Sequence, residues 1–90
     1  MEHEAATLAW LRAEDGQHIV LIERDGEKLR PAHKPNGAML VRLISTRPVR
    51  RAVYDVTTSA GTLPEVAGQT VFFLATAKQV ESYEQTASAL

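Results

Sequence analysis

Cysteine is absent from this 90-residue chain. That excludes a disulfide framework, a thiolate zinc site and a cysteine nucleophile together. Small secreted domains usually rely on disulfide staples, so the expectation is an intracellular, cytoplasmic protein. Long apolar runs are missing too, and no segment approaches the roughly 20 residues that span a bilayer. The opening Met1-Glu2-His3-Glu4 is acidic where a signal peptide is basic. Neither a glycine-rich phosphate loop nor the G-x-S-x-G nucleophile elbow occurs. Aromatics make up 6% of the chain, too few to pattern a strand for base stacking. The three histidines, His3, His18 and His33, lie far apart without carboxylates at ligand spacing, so no metal and no cofactor is expected.

One further absence is local. Residues 28–54 contain no Asp or Glu but hold Lys28, Arg30, Lys34, Arg42, Arg47, Arg50 and Arg51. The preceding 27 residues carry seven acids and two bases, and the residues after 54 carry four acids against Lys78. The net charge of −1 hides this division. Sided charge bears on encounter and partner choice rather than on fold.

What is present reads as one small domain over residues 1–90, of mixed α+β class. Residues 2–13 are Ala-rich with early acids and Gly16 beyond, which favours a helix over the competing strand through 7–13. Trp10, with Leu8 or Leu11, is expected in the core. Residues 17–23 are β-branched and apolar, a strand. The dipeptide Asp25-Gly26 predicts a type I′ hairpin in which Arg24 faces Glu27, Glu23 faces Lys28 and Ile22 faces Leu29. Pro31 should end the returning strand. Residues 38–45 form the most apolar strand, 46–48 a break that places Arg47 at a turn, and 49–57 the next strand. Alternation there puts Arg51 and Asp55 on one face and Arg50, Tyr54 and Val56 on the other. Residues 58–68 read as a loop and 69–75 as a buried strand. One of Phe72 and Phe73 must face away from the last helix, and burial under the first helix is expected for it. Thr76-Ala77-Lys78-Gln79 fits a capping box, followed by an apolar stripe of Val80, Tyr83, Ala87 and Leu90 with Glu81 and Glu84 pointing away. The sum is an antiparallel sheet of about five strands with a C-terminal helix packed on one face and an N-terminal helix. A small β-barrel plus C-terminal helix is the alternative.

The expected function is that of a small non-enzymatic binding module. It would be a bacterial or phage/mobile-element regulator or inhibitor, as the size and the Ala-, Arg- and Val-rich composition suggest. Its contact surface would be Lys34, Arg42, Arg47, Arg50, Arg51 and Tyr54, because guanidinium forks bind carboxylate or phosphate bidentately. An acidic protein surface is favoured over nucleic acid as partner, since nucleic-acid binders are usually strongly basic overall and this chain has pI ≈ 6.3. A homodimer is compatible with the small core. Membrane association is not expected. In element order, with basic residues on a compact sheet, the chain also resembles the small toxin endonucleases of toxin–antitoxin pairs. With Tyr54 and with His33 as acid/base near Arg30 or Arg50, that resemblance implies a metal-independent ribonuclease, although no motif of that family is present.

Overall fold

The structure, a computed structural model, describes residues 3–88. Seven strands and two helices follow in order: β1 (Ala5–Thr7), α1 (Leu8–Leu11), a 3₁₀ turn (Arg12–Glu14), β2 (Ile19–Asp25), β3 (Lys28–Pro31), β4 (Met39–Arg50), β5 (Val53–Thr58), β6 (Gly61–Ala67), β7 (Val71–Phe73) and α2 (Ala77–Ser88). The main sheet is antiparallel in the order β3-β2-β4-β5-β6. β1 and β7 make a separate two-stranded sheet. The class is therefore mixed α+β, with no closed barrel. The sheet does curl. Leu29 Cδ1 on edge strand β3 comes within 3.1 Å of where a Cβ on Gly61 would sit at the start of the opposite edge, β6. No ladder joins these two strands among the described residues.

The inner face of the sheet carries the core. Val20, Ile22, Val41, Leu43, Val56, Leu63 and Val66 meet Leu8 and Leu11 of α1 and Phe72 of β7. Thr7 caps α1, its hydroxyl accepting from the Trp10 N–H at 3.3 Å. A four-residue helix entered from Thr7 turns Leu8 and Leu11, three apart, onto one side. Trp10 falls outside that side and is 59% exposed. This corrects the expectation that it joins the core. Of the two phenylalanines, Phe72 is fully buried, while Phe73 faces outward from the small sheet and is half-buried.

On the outer face of β2 and β4, α2 meets the sheet around Arg42 through Tyr83 and Glu84, while Ala87 of the expected apolar stripe is exposed. Ile19 and Leu21 lie on that face and are buried, yet stand apart from the main core. Arg42, the cross-strand neighbour of Ile19, reaches Glu84 of the helix at 3.5 Å. Tyr83 donates from its hydroxyl to Ser59 Oγ at 3.0 Å. Glu84 therefore points toward the sheet rather than away from it. The capping box forms reciprocally, with the Gln79 N–H donating to Thr76 Oγ1 at 3.2 Å and the Thr76 N–H donating to Gln79 Oε1 at 3.0 Å. His3 also meets Gln79 Oε1, at 2.8 Å. No helix among the described residues is long and apolar enough to cross a membrane.

Three strand assignments are corrected by the tertiary structure. In the first hairpin Asp25 faces Lys28 and Glu23 faces Arg30, one residue along each strand from the expected register. Only Gly26 of the turn takes positive φ, at +65°, the pattern of a turn with glycine at its first central position rather than of type I′. β4 runs unbroken through Pro48 and turns at Arg51 and Ala52. Proline is tolerated because β2 pairs with β4 only as far as Arg42, so the later half of β4 has an open side. Finally, residues 61–67 form edge strand β6 where a loop was expected. It takes the fifth place in the sheet that residues 69–75 were expected to fill.

Past the end of β2, the chain supplies substitute partners to β4. The Gly16 N–H donates to the Leu43 carbonyl at 2.8 Å. The Asp15 carboxylate accepts from the Thr46 N–H at 3.2 Å and from the Thr46 hydroxyl at 3.4 Å.

Candidate functional site

Beyond the reach of α2, the outer face of β4, β5 and β6 is open. Cross-strand pairing places Arg47 beside Asp55 and Arg50 beside Val53. A bulge in β6 opposite Asp55 puts Glu65 in the left-handed region, with φ +52°, which is uncommon for a residue with a side chain. Asp55 holds this bulge, its Oδ1 accepting the Glu65 N–H at 3.0 Å. Its other oxygen takes Arg47 Nη2 at 3.4 Å. Arg50 Nη2 donates in turn to Glu65 Oε1. Two carboxylates thus hold two arginines side by side on an exposed sheet, and Arg51 stands at the adjoining turn.

Exposed ion pairs of this kind contribute only about 0–1 kcal/mol each. Their effect is geometric. A guanidinium has five N–H donors in a fixed fork, and those not facing Asp55 or Glu65 remain available to a carboxylate or phosphate.

The six expected site residues do not form one surface. Arg47, Arg50 and Arg51 come together at the far end of the β4–β5 hairpin. Arg42 is tied up elsewhere, donating to the Gly16 carbonyl at 2.9 Å, pairing with Glu84 and lying 5.8 Å from the Tyr83 ring centroid. Tyr54 lies on the opposite face, aligned with Pro48 and covered by the Arg12 guanidinium at 4.3 Å. Lys34 belongs to the loop before β4, while Arg51 follows that strand's other end. Arg47 is on the strand and Arg51 at the turn, the reverse of the expectation. Sequence reasoning also missed Asp55 and Glu65 as partners. Proline at Pro64 signalled a loop, but it equally suits an edge strand, which is where it lies.

A second polar cluster sits on the β2–β3 hairpin. Glu23 accepts from Arg30 Nε at 2.7 Å and from the His33 backbone N–H at 3.0 Å, and its Oε2 lies 3.0 Å from His33 Nδ1. Arg30 also reaches Asp25 at 3.0 Å. His33 is thereby oriented through one ring nitrogen and leaves the other toward solvent. Its neighbour is Arg30, not Arg50. These donors, the His33 backbone N–H first, then its ring and Arg30, lower the Glu23 carboxyl from its ordinary 4.5 to about 2. A depressed folded-state pKa contributes stability above the unfolded value and loses it as pH falls. Unfolding free energy should therefore drop between pH 4.5 and 2 more steeply in the native protein than in Glu23→Gln, as read from urea denaturation at several pH values. Equal slopes would show that this carboxylate is not held in solution.

Among the described residues no group of three His, Cys, Asp or Glu is placed to hold a metal ion. Neither a family model, a curated protein nor a solved structure matches this chain.

Proposed function

We propose that this chain is a small protein-binding module, a regulator or inhibitor that docks on an acidic patch of a macromolecular partner. The contact surface is the open outer face at the end of the β4–β5 hairpin, with Arg47, Arg50 and Arg51 as its basic groups. One observation carries the reading. Arg47 and Arg50 are exposed, and each is already fixed by a neighbouring carboxylate. Ordering a long side chain on binding costs about 0.5–1.5 kcal/mol, and prior fixation reduces that cost. The same carboxylates offset the positive charge, which disfavours a dense run of phosphates and suits a partner with a few placed acids. Lys34, Arg42 and Tyr54 fall outside this surface.

The test is affinity capture from the source cell with the native protein and with Arg47→Glu/Arg50→Glu. The native protein should retain a protein partner that added salt and the double reversal both release, while the variant keeps its native melting temperature within a few degrees. A partner retained by the folded variant would show that another face makes the contact. Capture that nuclease treatment abolishes would shift the reading to nucleic acid.

A further inference from the structure

The small β1–β7 sheet has features that the arginine face does not use. Leu8 donates its N–H to the Thr70 carbonyl and Glu4 accepts from the Leu74 N–H, both at 2.8 Å. In an antiparallel ladder, alternate residues point their backbone groups the same way. Glu4, Ala6 and Leu8 therefore face β7, and the N–H groups of Ala5 and Thr7, with the Ala5 carbonyl, face outward from the edge. A groove of about 630 Å³ lies against β1, lined by Glu4, Ala5, Ala6, Thr7, Trp10 and Leu74. This volume falls within the range of ligand sites. Small side chains on β1 leave the backbone approachable. Beside the groove, Trp10 and Val71 are more than half exposed.

The charges of the groove select its occupant. Glu4 stands at one end. Trp10 also lines the groove, its ring 5.5 Å from His18, which pairs with Glu14 at 3.5 Å outside the groove lining. Among the described residues no lysine or arginine lines the groove. An aromatic side chain in a groove whose one charged lining residue among those described is Glu4 favours a cation.

We infer that the free edge of β1 takes an extended peptide segment of a partner, added as a strand, with a lysine or arginine side chain laid against Trp10 and the Glu4 carboxylate. Main-chain bonds to Ala5 and Thr7 supply the register, and the cation supplies the selectivity. This surface is separate from the arginine face, so either fails without the other.

Trp10 is the only tryptophan, so its fluorescence reports this groove alone. The probes are the acetylated and amidated peptide Thr-Val-Lys-Val-Thr-Val and its counterpart with Glu in place of Lys. The lysine peptide should quench or shift Trp10 emission with an affinity about fivefold or more above that of the glutamate peptide. In the native protein, the Ala5 and Thr7 amide resonances should move on binding. Ala5→Pro removes an outward N–H without touching the β1–β7 ladder, and should stay folded while losing the response. The proposal is overturned by equal affinity of the two peptides, by amide shifts that miss β1, by no response at millimolar peptide, or by undiminished binding to folded Ala5→Pro. Concentration-dependent self-association that Ala5→Pro abolishes would assign the edge to a second copy instead.

Discussion

Phe72→Ala should lose about 3–5 kcal/mol of stability, the usual range for truncating a buried aromatic. Domains of this size commonly have a total of only about 5–15 kcal/mol, so the variant should be largely unfolded at the lower end of that range. The physical reason is position. Phe72 is the largest of the fully buried side chains and sits where the small sheet closes over the main one. Its removal opens a cavity between Leu8, Leu11 and the inner strands that rigid β ladders on both sides cannot collapse to fill. Trp10→Ala is the contrast. Its ring is mostly in solvent, so the cost should stay below about 1 kcal/mol despite the larger side chain deleted. Urea unfolding of both variants, followed by far-ultraviolet circular dichroism, decides the point. Comparable losses would mean that the Trp10 ring packs inside in solution.

Asp15→Ala should cost about 1–3 kcal/mol, the penalty for leaving a buried donor unsatisfied. Thr46 is buried, and both its N–H and its hydroxyl turn to the Asp15 carboxylate. β2 has already ended at this point of β4, so no strand amide or carbonyl stands by to replace the carboxylate. Asp15→Asn keeps one acceptor oxygen and should lose less than half as much. The Thr46 amide should exchange with solvent far faster in Asp15→Ala than in the native chain. Stability within about 0.5 kcal/mol of native would show that water substitutes for Asp15 at no cost.

Features caused by near neighbours were legible. The capping box needs only Thr76 and Gln79, three residues apart, and it forms as the pattern requires. The hairpin at Gly26 was legible as a turn, but its register was not. Two-residue turns that place glycine first or second differ by one residue in where the strands pair. That shift moves Glu23 from Lys28 to Arg30 and thereby builds the Glu23–Arg30–His33 cluster. Trp10 was misplaced because apolar spacing over residues 8–11 does not say which side of so short a helix meets the sheet. Pro48 and Pro64 read as breaks, since a proline's tolerance depends on whether a second strand lies alongside.

The candidate site divides in the same way. The acid-free window from residue 28 to 54 made the arginines visible as a group. Which of them share a surface was settled by the turn at Arg51 and Ala52 and by the bulge opposite Asp55. The carboxylates that hold Arg47 and Arg50 come from β5 and β6, eight and fifteen residues away.

The sequence alone determined the absence of thiol chemistry, the sided charge, the mixed α+β class and the elements whose signals lie within one turn of chain. The tertiary structure decided strand register, the exposure of Trp10 and the pairing of each arginine. Side chains alternate at every residue of a strand, so a face is defined only relative to the strand beside it, and that neighbour comes from distant sequence.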